Sequence, residues 1–325
     1  MKAIVYDNYG PPDVLHVSEV PKPSPRDNEI LIKVLAAEAS KADCEMRSFD
    51  FQVKWFSLPL RLALGVSRPK NQVLGGYFSG VVEDVGDKVS KFSTGEEVFG
   101  CARLKLGAYG QFMRLPENFT IVPKPSNLNF EQAAVVPLGG LNALHFMRAA
   151  KVKAGEKVLV NGAGGSIGVY GVQIAKALGA EVTAVDSGIK EEMLRRIGSD
   201  HFIDYTKKDF TKIDQTYDVI FSMVAKSAFS QLTKALNPGG RYLMANPKLS
   251  DMLRGTFMSL LTDKKVIFAL AGETEEELLT LKEMIETGKI KPVVDKVFTM
   301  EQAAQAHRRV EAEERLGSTV ITMAN

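Results

Sequence analysis

Apolar positions along this chain change rhythm near residue 125. Before it, short apolar runs alternate with turn residues, which predicts a mostly β region. The runs are Lys2–Tyr6, Leu15–Val17, Ile30–Leu35, Tyr77–Val85, Glu97–Phe99 and Ala108–Leu115. Early prolines (Pro11, Pro12, Pro21, Pro23, Pro25) confine the connections to irregular or edge backbone. Gly80–Gly86 followed by Gly95–Phe99 reads as strand, turn and strand of a compact barrel. Phe51–Asn71 breaks the rhythm. It is basic and aromatic (Lys54, Trp55, Phe56, Arg61, Arg68) and carries Leu58, Leu60, Leu62 and Leu64. It predicts a helical or looping insertion, either a lid over a pocket or a surface excursion packed by its own leucines.

After Pro123-Lys-Pro125 the period becomes mixed. Helices are predicted over Asn129–Val136 and Asn142–Ala150, split by Pro137-Leu-Gly-Gly140. Lys157–Asn161 is an apolar run that reads as a buried strand. Gly162, Gly164, Gly165 and Gly168 follow it. Ile167, Tyr170, Gly171, Ile174, Ala175 and Leu178 then recur at helical spacing, Gly179 ends the helix, and a second strand, Glu181–Val185, leads to Asp186. Further on, helices are predicted over Ile189–Ile197, Ser227–Leu236, Ser250–Leu261 and Thr274–Thr287, with Thr274 as cap. Strands are predicted over Phe202–Asp204, Tyr217–Met223, Arg241–Ala245 and Lys265–Leu270. Six strands separated by helices predict an α/β fold with a doubly wound parallel six-stranded Rossmann sheet. The closing strand, Ser318–Met323, has no helix after it and is expected to return to the first region. The expected domains are 1–125, completed by 291–325, and 126–290.

Strand, glycine turn, helix, strand and terminal acid together point to a bound dinucleotide. A glycine turn at a helix N-terminus brings backbone N–H groups to a pyrophosphate, where the helix dipole also favours negative charge. Asp186, at the tip of the second strand, suits hydrogen bonds to the adenosine ribose hydroxyls. The turn is a variant: it fits G-x-x-G-x-x-G through Gly162, Gly165 and Gly168. A glycine turn serving only strand–helix packing is the alternative.

Composition narrows the class. At 325 residues the chain is long enough for two domains, and its net charge of +2 gives no case for nucleic acid or an anionic membrane. Two cysteines, Cys44 and Cys101, without a Cys-x-x-Cys argue against a disulfide framework and a structural zinc lobe. No apolar run reaches the roughly 18 residues of a membrane span, and the N-terminus shows no signal features. The cytoplasm is the expected location.

The chain as a whole resembles the zinc-independent, quinone-oxidoreductase branch of the medium-chain dehydrogenases/reductases. Met1–Tyr6 and Tyr9–Leu15 resemble that family's opening strand and turn. Gly80–Gly86 with Gly95–Val98 resembles its GroES-like, mostly-β barrel, and Pro137–Ala143 its segment beside the nicotinamide. Gly162–Gly168, Asp204-Tyr205, Pro238–Gly240, Gly288–Pro292 and Ala303–Arg308 fall at its spacings. The resemblance implies hydride transfer from NAD(P)H to a quinone or an α,β-unsaturated carbonyl, and a homodimer; the apolar run Lys265–Leu270 reads as an edge strand, either paired with its twin or covered by the chain's own helices. Zinc-type relatives carry Cys where Ser40 stands and Gly-His-Glu where Gly75-Gly76-Tyr77 stands, so no zinc is expected. Without a Lewis acid, alcohol oxidation lacks its usual alkoxide stabilisation, whereas an activated acceptor needs less help.

The resemblance also implies roles. Gly162, Gly165, Ser166, Ile167 and Gly168 would hold the pyrophosphate, and Asp186, Ser187, Lys190 and Tyr205 the adenosine end. Ser40, Tyr77 and Asn142 would line the nicotinamide and substrate pocket, with Tyr77 and Ser40 the candidates for a catalytic part. Asp43 and Lys41 flank Ser40, as turn contact or surface ion pair. The histidines His16, His145, His201 and His307 have no ligand-spaced partner. Asp186 favours NAD(H), while Lys190 falls where NADP-using relatives place a cation; the carboxylate is given precedence. The alternatives are a dinucleotide-binding sensor or partner-binding module without turnover, and a zinc-type alcohol dehydrogenase.

Overall fold

The computed structural model describes residues 1–325 except 53, 55, 56, 213, 225–227, 269–271, 324 and 325. The β-rich region opens with the hairpin β1 (Lys2–Val5) and β2 (His16–Glu19). It continues through β3 (Glu29–Ala39), β4 (Tyr77–Val85), β5 (Glu97–Cys101), β6 (Phe112–Pro116) and β7 (Ile121–Pro123). Between β3 and β4 lie α1 (Lys41–Ser48) and α2 (Ser57–Leu64). Then come α3 (Phe130–Ala134) and α4 (Val136–Ala150). The alternating part runs β8 (Lys157–Asn161), α5 (Ser166–Ala177), β9 (Glu181–Asp186), α6 (Glu191–Arg196), β10 (His201–Asp204), β11 (Tyr217–Ser222), α7 (Phe229–Lys234) and β12 (Leu236–Met244). It ends with α8 (Leu249–Leu261), β13 (Lys265–Phe268) and α9 (Glu275–Glu286). The chain closes with β14 (Val294–Phe298), α10 (Ala303–Glu311) and β15 (Ser318–Thr322).

The expected parallel six-stranded sheet is present, in the order β10-β9-β8-β11-β12-β13. Its central strand β8 is buried after its first residue, because helices cover both faces. A seven-stranded sheet, β14-β15-β3-β4-β5-β7 with β6 paired to β3, joins the two ends of the chain. β15 thus returns to the β-rich region as expected, pairing antiparallel with β3.

Several boundaries differ. Pro137 and the glycines after it do not split a helix: α4 runs through them. Pro137 lies in the first turn, where its missing N–H has no role. Gly139 is needed for close helix crossing, since a Cβ there would lie 2.1 Å from the Ser166 carbonyl oxygen. α1 was not expected, nor β7. In the segment 51–71, α2 leaves Leu58 and Leu62 exposed while Leu60 and Leu64 pack on the β-rich core; Trp55 and Phe56 lie outside the described residues. So do Ser227 of the expected helix and the last two residues of the expected strand Lys265–Leu270.

Beneath α10, a buried polar knot replaces part of the apolar core. Arg47 donates to Nδ1 of His307 at 3.2 Å and pairs with Glu311 at 2.5 Å. The ring proton therefore sits on Nε2, 3.0 Å from the Tyr109 hydroxyl. Burial, with Arg47 beside it, pushes His307 down to about 3. Among the described residues no helix is long and apolar enough to cross a membrane.

Candidate functional site

The glycine turn lies at the carboxyl end of β8. Gly162 has φ +84°, in the left-handed region that favours glycine. The N–H groups of Gly162 and Ala163 donate to the Val185 carbonyl at 3.0 and 3.2 Å, tying the turn to β9. A Cβ on Gly168 would lie 2.2 Å from the Gly162 carbonyl oxygen, so the turn closes only on glycine. Gly165 precedes α5 with no side-chain cap. The N–H groups of Ser166 and Ile167, in the first turn, therefore have no intrahelical acceptor. Ser166 is buried and Ile167 half-buried against the sheet's core.

Asp186, Ser187, Lys190 and Tyr205 gather at the neighbouring strand ends. One Asp186 oxygen accepts from Gly164 N at 2.7 Å; the other accepts from Ser187 N at 2.8 Å. The Lys190 ammonium stands 3.0 Å from that second oxygen. Both side chains are buried, and the Lys190 stem crosses Gly164 so closely that a Cβ there would lie 2.4 Å from its Cδ. Tyr205 donates its N–H to the Asp186 carbonyl, and its ring is exposed. Asp186 and Lys190, which in the sequence favour different dinucleotides, are partners in the fold.

The expected pocket residues have internal partners. Ser40 caps α1: its hydroxyl donates to Asp43 at 2.5 Å and accepts from Asp43 N at 3.1 Å. Asp43 also accepts from Gly75 N at 3.1 Å. Burial pushes the Asp43 carboxyl up, against those hydrogen bonds. Lys41 pairs with Glu313 at the surface. The Asn142 amide turns back onto α4 and donates to the Leu138 carbonyl at 2.8 Å. The Tyr77 hydroxyl donates to Glu273 at 2.9 Å, and burial, then that carboxylate, push the phenol well above its ordinary value.

Sequence reasoning missed three residues. Glu273, at φ +44°, brings its carboxylate to Tyr77, while its carbonyl accepts from Arg103 and Thr120. Arg315 and Glu38 are buried where the closing strand meets the turn. There Gly317 N donates to the Gly164 carbonyl at 2.9 Å. A lone acid in the apolar run Ile30–Ala39 was the available signal for Glu38. Among the described residues no three His, Cys, Asp or Glu side chains gather in metal-holding geometry.

Comparison with known proteins extends this picture. Residues 26–126 match the family described as "Alcohol dehydrogenase GroES-like domain", and residues 197–321 match "Zinc-binding dehydrogenase". The chain is 31% identical to the quinone oxidoreductase of Mus musculus over 95% of its own length and 94% of that protein. It is 30% identical to the chloroplastic NADPH-dependent alkenal/one oxidoreductase of Arabidopsis thaliana, over 99% of its own length and 79% of that protein. The solved quinone oxidoreductase from Coxiella burnetii superposes with a TM-score of 0.88 at 28% identity, covering 100% of this chain and 99% of that one. With its parallel sheet, its GroES-like region and these relatives, the chain belongs to the medium-chain dehydrogenase/reductase superfamily, in the quinone-oxidoreductase branch, and is an oxidoreductase.

Proposed function

We propose that this protein reduces quinones or α,β-unsaturated carbonyls with NADPH, without zinc. The observation that carries the reading is the glycine turn. It is a cradle that a Cβ on Gly168 would fill, facing the uncapped N-terminus of α5. The Ser166 and Ile167 N–H groups would hold the diphosphate, with Gly162, Gly165 and Gly168 shaping the turn. Ser187, Lys190, Asp186 and Tyr205 would hold the adenosine end. When bound, the nicotinamide supplies the hydride. The quinone oxidoreductases and the alkenal/one oxidoreductase among the relatives do not favour a sensor without turnover.

The choice of NADPH departs from the expectation built on Asp186 alone. That carboxylate already takes hydrogen bonds from Gly164 and Ser187 and the Lys190 charge. A ribose diol would have to share the carboxylate with these donors, whereas a 2′-phosphate gains the Lys190 ammonium. Zinc is disfavoured by donor chemistry: Ser40, Gly76 and Tyr77 stand where zinc-type relatives carry ligands, and Ser40 is closed on Asp43. Tyr77, held by Glu273 with a raised phenol, is a poor proton donor, so protonation of the product falls to water.

In this reading 1–125 with 291–325 form the catalytic domain and 126–290 the dinucleotide domain, supported by β14 and β15 entering the β-rich sheet. β13, which ends the sheet order among the described residues, and the exposed apolar face of α8 (Leu249, Leu253, Phe257, Leu260) support a homodimer. Two buried free thiols suit a reducing cytoplasm. Fluorescence titration with NADPH and NADH, then addition of 1,4-benzoquinone or a simple enone, tests the function. Tighter NADPH binding followed by its oxidation is expected. Binding without turnover on a broad acceptor panel overturns the reductase, and no binding of either overturns the cradle.

A further inference from the structure

Glu38 is the penultimate residue of β3 and has no exposed surface. Among the described residues neither of its carboxylate oxygens is hydrogen-bonded, although the Ser166 and Ser318 hydroxyls lie close by. A buried ionised carboxylate without hydrogen bonds is among the least favourable arrangements a fold can hold. Its surroundings come from four elements. α5 contributes Ser166 and Tyr170, and the approach to β15 contributes Arg315 and Ser318. α1 contributes Asp43, which adds negative charge, with its own oxygens engaged by Ser40 and Gly75. Tyr77 and Tyr109 face it from the β-rich region, their phenols raised by burial first and by Glu38 among the lesser causes.

The vicinity is short of partners as a whole. Ser318 Oγ, Thr319 Oγ1 and Arg315 Nε are also buried without one, although Arg315 Nη1 donates to the Val310 carbonyl. All lie where β15 docks on the glycine turn through Gly317 and Gly164. An uncapped twelve-residue helix N-terminus and an orphaned buried acid thus meet at one joint. The N–H groups there suit an anion; an ionised Glu38 does not. Burial pushes the Glu38 carboxyl up to about 7, against the Ser166 and Ser318 hydroxyls and the Arg315 charge, which favour ionisation.

Resting on the dinucleotide site above, we propose that Glu38 occupies the bound state as a neutral carboxylic acid, so that dinucleotide binding takes up one proton from solvent. A diphosphate at α5 brings negative charge beside Glu38 and raises its proton affinity. The neutral acid also gains an O–H donor where the joint otherwise presents an unmatched acceptor. Below about pH 7 the free protein already carries the proton, and affinity is independent of pH. Above it, each binding event must supply the proton, and affinity falls by up to about tenfold per pH unit. The diphosphate does not titrate there, and a 2′-phosphate has its second pKa near 6, so the window from pH 7 to 9 isolates Glu38.

The test is calorimetric titration of NADPH into the full-length protein at pH 8, in buffers of different ionisation heat, with Kd followed from pH 7 to 9. Wild type is expected to take up close to one proton per dinucleotide, with Kd rising across the window. Glu38→Gln is expected to take up none, with Kd nearly flat. Binding by wild type without proton uptake overturns the role of Glu38 and leaves the dinucleotide site standing. Equal uptake by Glu38→Gln does the same. Failure of wild type to bind either nicotinamide dinucleotide overturns both. The wild-type proton count decides the matter even if the variant does not fold.

Discussion

The Lys190 ammonium lies 3.0 Å from a carboxylate oxygen of Asp186, and the two are buried together at the end of β9. Neither acts alone. Removing the cation strands a buried carboxylate, and breaking such pairs costs about 3 kcal/mol or more. Lys190→Met is therefore expected to lower unfolding stability by that amount in urea titration. It should also weaken NADPH by on the order of tenfold or more while changing NADH only a few-fold. Equal losses for both dinucleotides would remove Lys190 from the 2′-phosphate site.

Gly168 admits no side chain, because a Cβ would lie 2.2 Å from the Gly162 carbonyl oxygen. Gly168→Ala must open the turn that presents the α5 N–H groups. Affinity for both dinucleotides should fall by roughly 100-fold, a loss of about 3 kcal/mol. Far-UV circular dichroism should show the sheet intact, and fluorescence titration reads the loss.

Tyr77 donates to Glu273 and has a phenol pushed well above its ordinary value. Tyr77→Phe should keep turnover within a few-fold and lose roughly 1–2 kcal/mol of stability, since it leaves Glu273 without that donor. Steady-state kinetics with a quinone acceptor check this. A drop in kcat of a hundredfold or more would make Tyr77 the proton donor after all.

His307 stays neutral in the fold down to about pH 3, whereas an unfolded histidine titrates near 6.5. Between those values the unfolded chain binds a proton that the folded chain refuses. Stability therefore falls, as pH drops, by roughly 1.4 kcal/mol per unit. Glu38, raised to about 7, pulls the other way between its unfolded and folded values, because there the folded chain holds the extra proton. The comparison is thus between wild type and His307→Gln: the variant should lose less stability from pH 6.5 to 5 in urea unfolding.

The parallel sheet was legible because its strands, buried on both faces, leave apolar runs between glycines. The turn was legible because its backbone admits nothing but glycine at Gly162 and Gly168. Pro137 misled because proline is disfavoured within a helix but tolerated in its first turn. Ser40 does not serve the pocket alone: Ser40-Lys-Ala-Asp43 has the spacing of a capping box, and both halves are present. The Asp186–Lys190 pair has the spacing of neighbours on a helix, but its burial depends on Gly164 leaving room for the lysine stem. Glu273 reaches Tyr77 from a distant part of the chain, which no local pattern announces.

β15 lies between β14 and β3, and Gly317 just before it is bonded to the glycine turn. During synthesis β3 leaves the ribosome early, yet one of its edges stays open until residues 318–322 emerge. The six-stranded sheet needs none of those residues and can close first. The β-rich sheet, begun before the six-stranded one, is thus completed after it, and the joint between β15 and the glycine turn forms only once residues 317–322 have left the ribosome. In the interval the exposed edge of β3 is the segment most open to pairing with another nascent chain.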